Sequence, residues 1–287
     1  MAGDQGAPSG IVGVMVNPLT VSGVEIIPLR DAVGPMGESI RRPLSELFPG
    51  SSPEQWARLR NEVPEVFADD GSWLLHFHCF VLRVPSGPTV LVDTGIGPEG
   101  SPAASWAPVP GDLVAALDAV TLAPDDIDTV VLTHLHSDHA GGAVVGGEPV
   151  FGNARHLVQS TELDWLQGAL LDEVVEPLRR NGLLDAIDGP ARLAPDVLIM
   201  PTPGHTPGHQ SVVVGDDRVV VSGDVVLHPV QMIDPAVHYV YDEDPETAAV
   251  TRAELLGRLR HGGGVLAAPH LPVPFVTPKD VWTTPIG

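Results

Sequence analysis

The sequence predicts an α/β protein, on three observations. Apolar runs of strand length recur along the chain, helical segments lie between them, and no long linker divides the chain. Several of the runs are continuously apolar, as expected for strands that are covered on both faces. With 287 residues, 43% of them hydrophobic, the chain is long enough to bury a substantial core.

The predicted elements follow one another in a mixed order. Strands are expected at residues 11–16, 24–28, 74–84, 89–92, 129–132, 197–200, 211–214, 218–221 and 264–267. A first helix is expected after Ser52, which forms a capping box with Gln55 and has Pro53 at the first helical position. A second is expected over 112–122. A third is expected to open at Asp244, run to about residue 260 and stop at the glycines 262–264.

Three regions of the chain are distinguished by composition. Residues 1–10 are small and polar and lack the basic and apolar regions of a secretory signal, so a disordered tail is expected there. Residues 11–287 are expected to form one domain. Within it, residues 30–70 are rich in proline and arginine and carry isolated large apolar side chains. This stretch is expected to cover the body of the domain.

Charge and composition exclude several classes of partner. The formal net charge of −22 disfavours nucleic acid and anionic lipid surfaces, which carry the same sign. No apolar window is long enough for a membrane span. The one cysteine, Cys79, cannot form an internal disulfide, and a buried thiol in a cytoplasmic protein is expected. The oligomeric state stays open, with a homodimer as one expectation.

The strongest chemical signal follows the apolar strand at 129–132. His134, His136, Asp138 and His139 stand within six positions, and glycines come after them. On an extended backbone His134 and His136 project to the same face, so their imidazoles can share one ion. A turn after Ser137 can aim the other two side chains at a neighbouring point. The cluster therefore predicts a metal site, and it can serve two ions.

Further donors stand at the ends of other apolar runs. His205, Asp224 and His270 follow the runs at 197–200, 219–221 and 264–268. Strand ends of an open α/β sheet meet at one edge, where such proteins usually place their sites. Zinc usually takes about four ligands, so two ions need more donors than the first cluster has. Imidazole and carboxylate together suit zinc, iron, manganese or cobalt.

These motifs resemble those of the metallo-β-lactamase fold superfamily. The segment His134 to His139 is similar to its His-x-His-x-Asp-His signature, and Asp93, in Asp-Thr-Gly, resembles its early motif. The resemblance implies an α/β four-layer αββα sandwich with a dinuclear site on one edge. It implies one metal held by His134, His136 and His205, a second held by Asp138, His139 and His270, and Asp224 bridging them. Asp93 would support the ligands from behind.

Within the superfamily, residues 202–211 look most like the quorum-quenching lactonase and methyl parathion hydrolase group. One departure concerns the position three residues after the bridging aspartate, where the lactonases often have tyrosine and this chain has Leu227. Tyr239 and Tyr241 follow in the next loop. Whether either tyrosine reaches the site is left open, as it is for three further histidines: His76, His78 and His228.

The expected function is that of a dinuclear metal-dependent hydrolase with two zinc ions per chain, or iron, manganese or cobalt. Two close cations make hydroxide available near neutral pH, and it would attack a lactone, ester or phosphotriester. Asp138 and Asp224 would orient it and carry a proton to the leaving group. Two alternatives stay open: a thioesterase of the glyoxalase II kind, and an iron-dependent oxidoreductase or dioxygenase on the same fold.

The expected substrate is small, neutral and fairly apolar, with a lactone or aryl ester ahead of a phosphotriester. A covering element over the metals would supply an apolar wall. The side chains expected to form that wall are Leu47, Phe48, Trp56, Phe67 and Trp73.

Overall fold

Two mixed β-sheets lie at the centre of the protein in the computed structural model, which describes residues 17–107 and 109–278. The predicted tail at 1–10 and the predicted strand at 11–16 therefore lie outside the described residues. The strands, in chain order, are β1 Leu19–Val21, β2 Val24–Pro35, β3 Leu74–Arg83, β4 Thr89–Val92, β5 Thr129–Val131, β6 Val144–Val145, β7 Glu148–Pro149, β8 Arg155–Gln159, β9 Leu184–Ile187, β10 Ala191–Ala194, β11 Val197–Pro201, β12 Gln210–Val214, β13 Val219–Val221, β14 Val265–Ala267 and β15 Phe275–Val276.

The two large sheets are built from consecutive parts of the chain. The first has the order β1-β2-β3-β4-β5-β8-β9, with β4, β5, β8 and β9 parallel to one another. The second has the order β10-β11-β12-β13-β14-β15, in which only the β13–β14 pair is parallel. Strands β6 and β7 form a separate hairpin.

Short helices connect and cover these sheets. They are α1 Leu44–Leu47, α2 Pro53–Glu62, α3 Leu113–Asp118, α4 Ser137–Ala140, α5 Ser160–Trp165, α6 Glu176–Arg180, α7 Val230–Ile233 and α8 Pro245–Gly262. The capping box at Ser52 and Gln55 is formed as predicted. Helix α8 follows its predicted cap, Asp244, and ends at Gly262, and Gly263 forms a left-handed C-terminal cap with a φ of 66°. None of the described helices is long and apolar enough to cross a membrane.

The continuous apolar runs are explained by burial on both faces of each sheet. In β4, Val90 and Val92 point into the space between the sheets, where Val212 of β12 also packs. Leu91 points the other way, into an outer cluster with Leu117 of α3. On the far side of the second sheet, the apolar face of α8 packs against Val213 and its neighbours. The layers are thus helices, sheet, sheet and helices, the αββα sandwich that the resemblance implied.

Several boundaries differ from the prediction. Strand β2 was expected to end at residue 28 but runs to Pro35, with a bulge between Arg30 and Ala32. The first six residues of the expected covering stretch, 30–35, therefore belong to strand β2. Strands β8, β9 and β10 and helices α5 and α6 were not predicted, because their segments mix charged and apolar residues without a clear period.

Candidate metal centre

The predicted donor residues meet at one edge of the sandwich. His134 and His136 follow the end of β5, and α4 starts directly after them at Ser137, so that Asp138 and His139 turn towards the same point. The other three donors lie in the connections after strands β11, β13 and β14, and they are His205, Asp224 and His270. Apart from the partly buried His136 and Asp138, the donors are buried.

Three imidazoles form the first donor group. His134 Nε2 and His205 Nε2 each lie 3.0 Å from His136 Nδ1. Asp224 Oδ2 lies 3.3 Å from His205 Nε2 and 3.8 Å from His134 Nε2. Neighbouring ligand atoms around a tetrahedral zinc ion lie about 3.3 Å apart when metal–ligand distances are about 2.0 Å. The spacing of this group fits such an ion.

The second donor group stands on the other side of Asp224. His270 Nε2 lies 3.3 Å from His139 Nε2, and Asp138 Oδ2 lies 3.4 Å and 3.5 Å from these two atoms. Asp224 Oδ1 lies 3.2 Å from each of the two imidazole nitrogens. The two oxygens of Asp224 therefore face different groups, the arrangement that a bridging carboxylate requires.

Hydrogen bonds from behind set the orientation of the imidazoles. His139 Nδ1 donates to Asp93 Oδ2 at 2.8 Å, and His205 Nδ1 donates to Asp242 Oδ1 at 2.9 Å. His270 Nδ1 donates to the carbonyl oxygen of His76 at 2.9 Å. With the proton on Nδ1, the Nε2 lone pair is left free to bind an ion.

Two further buried residues shape the turns that carry the donors. His209 Nε2 accepts the backbone N–H of Asp224 at 3.0 Å and so stabilises the turn at this residue. Glu162 accepts the backbone N–H groups of Leu135 and Gly208 at 2.8 Å and 2.9 Å. Sequence reasoning missed Glu162 and Asp242, since nothing local marks a carboxylate whose partner is far away along the chain.

The charges and pKa shifts of the donor side chains suit the binding of cations. Burial, with help from neighbouring histidines, holds the pKa of His134 and His136 well below the ordinary histidine value, so both offer neutral ligands. Burial alone would also lower the pKa of His139 and His270. The carboxylates of Asp224 and Asp138 outweigh it and raise the pKa of both imidazoles. The donor set and its excess of negative charge fit divalent metal ions.

A cavity of about 220 Å³ opens above the donors. Besides donor residues and Ser137, its walls are Ile40, Trp73, Leu75, Trp106, Leu227, Tyr239 and Tyr241. Both tyrosines thus reach the site, and the ring of Tyr239 stacks on His205 with centroids 6.1 Å apart.

The prediction for the apolar wall was largely wrong. Of the five side chains expected there, only Trp73 lines the cavity. Leu47, Phe48 and Trp56 are buried in a cluster beneath it, and Phe67 packs against that cluster. Their apolar character indicated that they would be buried, and they pack against other side chains of the domain and do not line the cavity.

The histidines left open do not line the cavity. His228 is fully buried among the rings of Phe48, Trp56, Phe67 and Trp73. His78 supports the connection to His270, since its backbone N–H and its Nδ1 both lie 3.0 Å from the carbonyl oxygen of Pro269. Together with the His76 carbonyl, it fixes the segment that carries His270.

Comparisons with known proteins agree with this architecture. A family model described as the metallo-beta-lactamase superfamily matches residues 78–262. An N-acyl homoserine lactonase from Bacillus sp. is 32% identical over 166 residues, 52% of this chain and 61% of the relative. A hydroxyacylglutathione hydrolase from Acidiphilium cryptum is 33% identical over 124 residues, 41% of this chain and 43% of the relative.

Among solved structures, AidC, described as a dizinc quorum-quenching lactonase in complex with a product, has a TM-score of 0.72 and 21% identity. The match covers 90% of this chain and 91% of that one. This likeness extends over nearly the whole chain and concerns the fold. The alignment with the Bacillus relative, by contrast, spans only 61% of that protein's length.

Proposed function

We propose, since this chain belongs to the metallo-beta-lactamase superfamily, that it is a dinuclear metal-dependent hydrolase of small lactones and esters. The observation that carries the proposal is the position of Asp224 between two donor groups at the floor of a cavity. Seven donors exceed what one tetrahedral ion can use, so we propose two zinc ions per chain. AidC, described as a dizinc lactonase, supports that number.

The first group would hold one ion through His134, His136 and His205, and the second group would hold the other through Asp138, His139 and His270. When bound, two divalent ions supply a water acidified towards neutrality and polarise the carbonyl oxygen of the substrate. Asp224 would offset the repulsion between the two cations from its position between the donor groups. Asp93 and Asp242 hold the imidazoles in the tautomer and orientation that the ions need.

Two carboxylates are placed to handle protons. Asp138 and Asp224 both line the cavity, and the remaining lining is largely apolar. We propose that both orient the attacking water, and that Asp138 accepts its proton and then passes a proton to the leaving alkoxide. The apolar walls exclude other water from this step and thereby strengthen the electrostatic interactions within the site.

The cavity supports a small, neutral and fairly apolar substrate. Trp73, Trp106 and Leu227 offer apolar contact, and the cavity of about 220 Å³ has room for a lactone ring or a compact ester next to the donors. The net charge of −22 disfavours polyanions. Relatives named as N-acyl homoserine lactonases support a lactone as the first substrate to test. We further propose a cytoplasmic location, supported by the buried, unpaired Cys79.

A thioesterase is the second candidate, because one relative is named hydroxyacylglutathione hydrolase. The same seven donors would serve a thioester, so the substrate and not the metal centre distinguishes the two. The apolar lining of the cavity favours the lactone over a glutathione conjugate, which carries charged groups.

The test compares kcat/KM for an acyl lactone, an aryl ester, a glutathione thioester and a phosphotriester on zinc- or cobalt-loaded protein, with elemental analysis of the same batch. We expect two metals per chain and the highest value for the lactone or the aryl ester. Asp164→Ala, which removes an exposed carboxylate on α5, serves as the control and should leave both results unchanged. A clear preference for the thioester would overturn the lactonase proposal, and a single bound metal would overturn the dinuclear one.

A further inference from the structure

Arg252 is a fully buried cation in a strongly acidic protein. It lies on α8, and its guanidinium reaches three separate segments. Its Nε donates to the carbonyl oxygen of Val225, and its Nη1 donates to those of Pro235 and Val237, each at 2.8 Å. Its Nη2 lies 3.5 Å from Asp242 Oδ2. Buried arginines are rare unless such partners hold them.

Asp242 connects this guanidinium to the first donor group. Its side chain is 0% exposed, and Oδ1 accepts the Nδ1–H of His205 at 2.9 Å. Oδ2 accepts the backbone N–H of Tyr239 at 3.1 Å and faces Arg252. Arg252 is thus the counter-ion of the carboxylate that orients a donor imidazole.

The same helix also supports the turn that contains His205. The backbone N–H groups of Glu243 and Asp244 donate to the carbonyl oxygens of His205 and Gly204, at 3.1 Å and 2.9 Å. A Cβ on Gly204 would lie 2.3 Å from the backbone nitrogen of Ala248, so α8 packs directly on this turn. The orientation of His205 therefore depends on the position of α8 and on the loop before it.

We propose that Arg252 is a positioning residue: it holds Asp242 against His205 and so sets the metal affinity of the first donor group alone. The proposal rests on the dinuclear function argued above. The second donor group has other supports, Asp93 behind His139 and the His76 carbonyl behind His270, which Arg252 does not contact.

The chemistry of the side chain supports this role. Burial lowers the pKa of Arg252 to about 10, so the guanidinium still carries its charge at neutral pH. Its planar fork can serve several carbonyl oxygens and a carboxylate at once, which the single ammonium of lysine cannot do. Without it, a buried carboxylate would lose its counter-ion, and the 235–242 loop would lose the donor that joins it to the segment after Asp224.

The test is a competition titration of zinc between a chelator and three variants: Arg252→Met, Asp242→Asn and Arg258→Met. Arg258 is the matched control, because it lies on the same helix but pairs with Asp217 at the surface. We expect Arg252→Met and Asp242→Asn to weaken one of the two zinc sites by about 10- to 100-fold, the range found for partners behind metal ligands, with the other within about threefold. Arg258→Met should change neither site.

Two further measurements separate positioning from a general structural role. In the double variant Arg252→Met/Asp242→Asn, the affected site should weaken no more than about threefold beyond the stronger single variant, because both residues act through His205. Cobalt-substituted protein should show altered absorption bands for one ion only. Equal weakening of both sites, additive effects, or unchanged zinc affinity in Arg252→Met would overturn the proposal.

Folding of each variant is checked by circular dichroism of the metal-free protein. If Arg252→Met fails to fold, the zinc affinity of Asp242→Asn is the deciding measurement, because asparagine keeps the shape of the aspartate side chain. Unchanged zinc affinity in Asp242→Asn would then overturn the proposal. The same measurements distinguish a failure of the dinuclear function from a failure of the role of Arg252. A wild-type protein that binds fewer than two zinc ions refutes the dinuclear function, whereas two sites of unaltered affinity in the variants refute only the role of Arg252.

Discussion

Replacing Asp31 by asparagine should change how the stability of the fold depends on pH. Asp31 lies at the bulge of β2 and is 5% exposed, and its Oδ2 accepts the backbone N–H of Ile96 at 2.8 Å. A Cβ on Gly95 or on Gly111 would lie within 2.3 Å or 2.4 Å of its carboxylate oxygens, so the group is closely enclosed. Burial raises its pKa from 3.8 to about 6, although the hydrogen bond from Ile96 opposes that shift.

The sign of the effect follows from this raised pKa. The folded protein holds the Asp31 proton more tightly than the unfolded chain, so protonation stabilises the fold. That contribution is fully present below the unfolded pKa of 3.8 and is lost as the pH rises through about 6. A shift of roughly two pKa units corresponds to about 3 kcal/mol in total, of which about 2 kcal/mol falls between roughly pH 4.5 and pH 7.5.

The assay is urea unfolding of the metal-free wild type and Asp31→Asn at both pH values. The free energy of unfolding of the variant, relative to wild type, should rise by about 2 kcal/mol from roughly pH 4.5 to pH 7.5, because asparagine does not ionise. Because all other titrating groups are the same in both proteins, their contributions to the pH dependence of stability cancel in the difference between variant and wild type. Asp118→Asn, at an exposed position of α3, is the control and should show no such trend. A difference between wild type and Asp31→Asn that stays constant with pH would refute the reasoning.

Three other substitutions test the site and its frame. Asp224→Ala should reduce the occupancy of at least one metal site and lower kcat by at least ~100-fold with the fold retained, because it removes the proposed bridging carboxylate. Full metal content and full activity in this variant would show that Asp224 is only a turn residue. Gly204→Ala should lower the free energy of unfolding by about 2–4 kcal/mol, because the φ of Gly204 is 131° and the new Cβ would meet the backbone of Ala248. A variant as stable in urea as the wild type would contradict this prediction. Ser52→Ala should remove about 1 kcal/mol through loss of the capping box on α2 and leave kcat/KM unchanged, whereas unfolding at the wild-type urea midpoint would show that the cap is dispensable.

The meeting of the candidate donor residues could be predicted because their signal is local. His134, His136, Asp138 and His139 are nearly consecutive, and each of the remaining donors directly follows an apolar strand. The strand ends then determine where the side chains meet. The best-predicted elements have the same property, since β4 and the start of α8 are marked by an unbroken apolar run and by an aspartate–proline cap.

The features that were missed depend on tertiary contacts. Asp242 lies 37 positions from the imidazole it orients, and neither residue's neighbours indicate the pairing. Phe48 and Trp56 were assigned to the cavity because large apolar side chains mark burial without saying against what. Strand β8, Arg155–Gln159, begins with charged and polar residues, so its sequence has neither an apolar run nor a clean alternation.

The division of the chain between the two sheets has a consequence for how metal and folding are linked. All strands of the first sheet lie before residue 188, and all strands of the second lie after residue 190. The first half carries His134, His136, Asp138 and His139, and the second carries the other three candidate donors, so neither half alone has all members of either donor group. With the metals held as proposed, metal affinity would include the free energy of docking one half on the other. Free zinc should act as a cross-link across the 188–190 junction, and two separately expressed halves should associate more tightly with zinc than without it.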